Sequence, residues 1–283
     1  MPTLMQPAHA TAESGADRLA LLRAELDGLD DALHDTLMRR AEVVGQVAAL
    51  GAKGGVPLRP GREASILRRL LARHTGALPR QGVVRLWREL FSATTAMQRP
   101  LLLAVCDEDD APALAREHFG ALAPVHLHHS PAQALGQVAA GTAVAAILPV
   151  PVEGEVRAWW TSLLHGHTRL HVVARLPFWT PRPDGAPRGH AFVVTAALPD
   201  PSGMDRTLLA IEMPPEGSRA CLAQALTAAG LNAGTTILRR DAGAIRALAD
   251  VAGFVAEADP RLAALDPQPV VIGAYAMPVG DAP

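Results

Sequence analysis

The sequence predicts a chain of two kinds of structure, an all-helical N-terminal segment followed by α/β layers. Three observations carry this. An apolar stripe at helical spacing runs from about residue 17 to 50. At residue 100 the texture changes to short apolar runs alternating with helical stretches. The last block reads strand, helix, strand, strand, helix, strand, which is the split βαβ order. With 283 residues, 49% apolar and 19% charged, the chain can bury a large core.

Residues 1–16 read as a disordered lead. In the stripe that follows, Leu19, Leu22, Leu26, Leu29, Leu33, Leu37, Val44 and Val47 recur at steps of three or four, with one gap near residue 40. Such a helix is roughly 50 Å long. It outreaches its short neighbours, so a helix from a second chain is the economical cover for its stripe. Gly51, Gly54, Gly55 and Pro57 end it. A second helix is expected over Gly61–His74, with Pro60 just before it. A third starts near Pro79, carries Val83, Trp87, Leu90 and Phe91 on one face, and stops before Pro100.

Beyond residue 100, strands are expected at Leu101–Val105, Val125–His128 and Val144–Val150, with helices at Ala111–Gly120 and Pro131–Ala140 between them. Trp159–Leu164 and Leu170–Leu176 continue the alternation, and residues 180–189 read as a loop rich in proline and glycine. The last block places strands at 206–212, 232–239, 244–251 and 269–275, with helices at 217–229 and 259–265. The implied domains are 17–99, 100–198 and 205–278.

Composition narrows the function. A net charge of −2 argues against nucleic acid as a partner. No apolar run reaches the ~20 residues of a membrane helix, so a cytoplasmic protein is expected. Two cysteines, Cys106 and Cys221, cannot make a disulfide framework or a cysteine zinc site. His126, His128 and His129 could suggest a metal, but neighbouring histidines on a strand face opposite ways, so no metal is expected. Arg40 fills the gap in the first helix's stripe, where a charge needs an anionic partner. Arg23 flanks the same stripe. Arg62 and Glu63 open the second helix, where neighbouring residues are usually solvated. Thr94 and Gln98 prolong the inward face of the third helix. An inward arginine and two inward polar groups among three helices suggest a ligand pocket.

The segments Leu22-Arg23-Ala-Glu-Leu-Asp-Gly-Leu-Asp30, Arg39-Arg40-Ala-Glu42, Pro60-Gly-Arg62-Glu63 and the helix ending in Gln98 together resemble the all-helical chorismate mutases over about 80 residues. The resemblance implies an intertwined homodimer through the long first helix. It also implies rearrangement of chorismate to prephenate with no cofactor and no metal. Transferred by position, Arg40 and Arg62 would hold substrate carboxylates, as would Arg23 from the other subunit. Glu63 would receive the ring hydroxyl, Thr94 would bond a carboxylate, and Gln98 would donate to the ether oxygen of the breaking bond. The family's further lysine donor falls on Gly51. Lys53, the single lysine among 26 basic residues, stands two positions on and is the candidate replacement.

The remainder resembles a truncated prephenate dehydratase lobe followed by an ACT-like regulatory domain, the order found in bifunctional enzymes of this pathway. Gly141–Val150, Glu153-Gly-Glu-Val156 and Ile272-Gly-Ala-Tyr275 carry the likeness. The dehydratase signatures are replaced by Asp107–Asp110 and His190-Ala-Phe192, and the effector motifs by Ser218–Cys221 and Arg239-Arg-Asp241. A catalytically dead tail is therefore expected, with an aromatic amino acid as its possible effector. The alternatives are a non-catalytic regulatory or partner-binding protein, or an isochorismate pyruvate lyase on the same helical fold.

Overall fold

The computed structural model describes residues 15–50, 55–155, 158–240 and 243–280. The chain divides near residue 52 into two compact units. In the first lies α1 (Gly15–Leu50), 36 residues without a proline. Gly15 and Ala16, assigned above to the lead, are already helical. None of its residues is buried. Leu19, Leu22, Leu26, Leu29 and Leu33 keep 47–59% of their surface exposed. The long helix and its leucine stripe are what the spacing predicts.

The second unit holds all the remaining elements. α2 (Pro60–Ala72) starts on a proline, whose missing N–H costs nothing at a helix start. α3 (Arg80–Ala96) follows the short turn at Gly76. Then come β1 (Leu103–Cys106), α4 (Ala111–Phe119), β2 (Val125–His128), α5 (Pro131–Ala139) and β3 (Ala145–Pro149). A 3₁₀ helix (Trp159–Leu164) leads to β4 (His171–Leu176) and β5 (Ala191–Thr195). The last block is β6 (Asp205–Met213), α6 (Arg219–Ala228), β7 (Ala233–Arg240), β8 (Ile245–Ala252), α7 (Pro260–Ala263) and β9 (Val270–Ala276).

The nine strands among the described residues form one sheet in the order β2-β1-β3-β5-β4-β9-β6-β8-β7. β2, β1 and β3 are parallel, and β5 runs antiparallel between β3 and β4. The order β9-β6-β8-β7, all antiparallel, is that of a split βαβ unit. Two findings were not expected. The five buried residues of β5 form a strand that the proline-rich loop before it obscured. The two α/β blocks are also not separate layers, because β4 pairs with β9 in parallel at Val172 and Gly273. A side chain at Gly273 would collide with the Val172 backbone, so glycine allows this close approach. One apolar cluster runs across the junction, from Leu148 and Val194 through Val172 to Leu208, Leu248 and Ile272.

α2 and α3 do not pack only on each other. Ala64, Leu67, Leu71, Val83, Val84 and Phe91 share one buried cluster with Phe178, Trp179, Ala276 and Val279 from the α/β part. No helix among the described residues is long and apolar enough to cross a membrane.

Candidate active site

The start of α2 is set from a distance. The carboxylate of Asp200, in the connection between β5 and β6, accepts from the backbone N–H groups of Gly61 and Arg62, both at 3.0 Å. These are two of the donors that every helix start leaves unpaired, and an anion there also meets the favourable end of the helix dipole. Arg59 adds a guanidinium 3.6 Å from the same carboxylate. Gly61 is required, since a Cβ would overlap the Asp200 carbonyl oxygen. One turn further on, Arg68 donates to the carbonyl oxygens of Ser202, Met204 and Met277. The helix that presents Arg62 and Glu63 is thus clamped to the connections at the far end of the chain.

Arg62 projects from this helix into solvent. Glu63 turns inward and accepts from Arg88 Nη1 at 2.8 Å. Arg88, on α3, is a buried cation that sequence reasoning missed. Its side chain is 5% exposed and its guanidinium carbon lies 4.5 Å from the centre of the Phe178 ring. Nη1 also lies 3.3 Å from His118 Nε2 on α4. Burial pushes Arg88 down from the ordinary arginine range, and the pull of Glu63 opposes it. A guanidinium can only donate, so His118 Nε2 accepts and the ring proton belongs on Nδ1. The signal in the sequence was the spacing Val84, Arg88, Phe91, Thr95, which puts Arg88 on the buried face. Beside this group lies a cavity of about 360 Å³, walled by Arg85, Arg88, Glu117, His118, Phe178 and Trp179.

His118 is held well below 6.5, first by burial and then by Arg88. Below pH 6.5 the unfolded chain therefore binds a proton that the native state refuses. Stability rises with pH through this range and falls on acidification. His171 is shifted the same way, by burial and then Arg169. Thermal unfolding at pH 7 and pH 5 should show a lower midpoint at pH 5. His118→Gln should flatten that slope, one group supplying at most about 1.4 kcal/mol per pH unit. An unchanged slope in the variant would assign the acid sensitivity elsewhere.

The other expected site residues are distributed unevenly. Thr94 is buried as expected, but its hydroxyl donates to the carbonyl oxygens of Leu90 and Phe91 in its own helix. Gln98 is a correction. It lies past the last residue of α3, is exposed, and donates through Nε2 to the Thr94 carbonyl oxygen at 3.3 Å. The inward face ends with the helix, because the chain turns toward Pro100. Arg23 and Arg40 lie on α1, seventeen residues apart. Lys53, Gly51 and Gly54 lie outside the described residues.

In the α/β part, Cys106 is fully buried, and burial with Glu108 and Asp107 beside it pushes its thiol up to about 12. It has no thiolate with which to attack. Asp110 is spent on the backbone N–H groups of Arg188 and Gly189, at 2.8 and 2.7 Å. Glu155 is raised first by burial; Glu108 adds to the rise and Arg239 opposes it. At the start of α6, Ser218 caps the helix by accepting from the Cys221 N–H. A smaller cavity of about 160 Å³ opens there between Met213, Gly217, Cys221, Leu222 and Leu265. No cluster of three or more metal-ligating side chains occurs among the described residues.

Arg62 and Glu63 thus stand side by side at a helix start, with Arg88 behind Glu63. Residues 22–99 match the family model described as chorismate mutase type II. Among curated relatives, the bifunctional chorismate mutase/prephenate dehydratase of Stutzerimonas stutzeri is 33% identical over 115 residues, covering 38% of this chain and 32% of that protein. The protein of the same description from Pseudomonas aeruginosa is 33% identical over 112 residues, covering 37% and 31%. The chain thus spans about a third of the length of these relatives. Among solved structures, the prephenate dehydratase of Arthrobacter aurescens in complex with L-Phe aligns with a TM-score of 0.48 at 18% identity. It covers 65% of this chain and 94% of that one.

Proposed function

We propose that this protein is a chorismate mutase, an isomerase that turns chorismate into prephenate, and that the α/β part performs no dehydratase chemistry. The observation that carries the reading is the match of residues 22–99 to the type II mutase model, which spans all three helices. The reaction is a unimolecular rearrangement. A catalyst for it needs only to fold the substrate into the reactive shape and to balance the charge that develops. Arg40 and Arg62 hold the carboxylates by bidentate hydrogen bonds, Glu63 takes the ring hydroxyl, and the Thr94 hydroxyl, turned from the Leu90 carbonyl oxygen, donates to a carboxylate. Lys53 is the donor to the ether oxygen.

Arg23 serves the site of the other subunit. Seventeen residues along one helix separate Arg23 from Arg40 by about 26 Å, too far for both to touch one small molecule. The uncovered leucine stripe of α1 supports the same homodimer. The cavity at the start of α6 is the candidate seat of an aromatic amino-acid effector.

The deciding experiment follows ultraviolet absorbance of chorismate, and of isochorismate in parallel, with the purified chain. Chorismate should be consumed, prephenate should accumulate, and no phenylpyruvate should form above the uncatalysed rate. Intact chorismate would sink the mutase reading. Loss of isochorismate alone would favour the lyase, and enzymatic phenylpyruvate would overturn the silent α/β part.

A further inference from the structure

The Glu63–Arg88 pair has a direction. Glu63 keeps 16% of its side chain exposed, whereas Arg88 keeps 5%. The carboxylate stands at the rim of α2 and the guanidinium stands behind it. Four elements converge on that guanidinium. α2 supplies Glu63, α3 carries Arg88 itself, α4 brings the His118 ring nitrogen at 3.3 Å, and the segment after β4 lays the Phe178 ring 4.5 Å from its centre. Phe178 and His118 are further fixed against each other, their ring centres 6.4 Å apart in an edge-on arrangement.

An arginine buried for stability alone would be an expensive choice. Well-packed apolar side chains in place of a buried ion pair commonly leave stability unchanged or improve it. What an apolar side chain cannot do is hold a carboxylate at a chosen angle. A planar guanidinium gripped between an aromatic face and an imidazole nitrogen can, since its own rotation is blocked.

We infer that Arg88 is a positioning residue for Glu63, and that Phe178 and His118 of the α/β part fix Arg88 in that task. The inference rests on the reading of Glu63 as the acceptor of the substrate hydroxyl. It gives the α/β part a role in the rearrangement although none of its residues touches substrate. His118 suits the position because it stays neutral. A protonated imidazole would repel Arg88 instead of accepting from it.

The test is steady-state kinetics on chorismate with the full chain, alongside thermal unfolding of each variant. Arg88→Met removes the charge at similar volume. It should lower kcat by ~10- to 100-fold, the scale of a small displacement of a placed group. KM should move less than about 3-fold, because the arginines that bind the substrate carboxylates are untouched. Arg88→Lys should restore part of kcat. In a Glu63→Gln background, Arg88→Met should have no further effect on kcat, as expected when one residue acts through the other. Unchanged kcat in Arg88→Met, or lesions that multiply in the double variant, would overturn the inference. Should Arg88→Met fail to fold, Phe178→Leu keeps both charges and removes the stacking face. A kcat loss there that disappears in the Glu63→Gln background supports the inference, and an unaltered kcat defeats it. If the wild-type chain itself leaves chorismate intact, the reading of the site fails, and the role of Arg88 falls with it. If the wild type is active and only the Arg88 results disagree, the mutase reading stands and this inference alone is lost.

Discussion

A chain cut after residue 99 is expected to be unfolded and to lose all measurable mutase activity. The match to the mutase family ends there, so a self-sufficient helical enzyme would be the natural expectation. The packing predicts otherwise. The apolar face of α2 and α3 is completed by Phe178, Trp179, Ala276 and Val279. Burying large side chains of this kind is worth roughly 1.5–3 kcal/mol each. Losing three such partners, Phe178, Trp179 and Val279, with the smaller Ala276 removes roughly 5–9 kcal/mol, comparable with the whole stability of a typical domain, about 5–15 kcal/mol. The cut also takes away Asp200 from the start of α2 and the three carbonyl acceptors of Arg68. Circular dichroism and chorismate turnover of the 1–99 fragment check this directly. A folded, active fragment would mean that a second copy of α1 can replace the α/β part as the cover of α2 and α3.

The second large effect concerns subunit exchange. Arg23→Ala and Arg40→Ala should each reduce turnover at least ~100-fold, the scale of losing a placed charge on a developing anion. Mixed after unfolding and refolding together, the two inactive proteins should recover activity. Random pairing makes half the dimers mixed, and one of the two sites in each mixed dimer contains neither lesion. Recovery should therefore approach about a quarter of wild type. A mixture as inactive as its parents, with mixed dimers demonstrated by mass spectrometry, would place Arg23 and Arg40 in separate roles.

Much of the fold was legible because each element announces itself locally. The stripe of α1, the proline at the start of α2 and the short apolar strands all follow from periodicity, and the split βαβ block matched the expected strands to within a residue or two. What the sequence did not disclose was long-range. β5 follows a loop rich in proline and glycine and has no alternation of its own, being buried along its whole length. The pairing of β4 with β9 joins residues a hundred positions apart through one glycine, and no local pattern encodes such a meeting. The site divides the same way. Arg62 and Glu63 are proposed from their motif alone. The turn of Glu63 toward Arg88 depends on Phe178 and His118, which are remote in sequence. Gln98 was misplaced for the opposite reason, since helical periodicity was extended two residues beyond the end of α3.

The return of β9 to lie between β4 and β6 also has a consequence for how the protein is made. α2 leaves the ribosome about two hundred residues before Ala276, Met277 and Val279, on which it comes to rest. During that interval its apolar face is without its final cover. Sequence-distant pairing of this kind slows folding and prolongs the exposure of sticky surface. Synthesis thus runs the length of the α/β part before the helices that carry Arg62, Glu63 and Arg88 can settle. A nascent chain stalled at any point short of the last strand holds the mutase motifs without their frame.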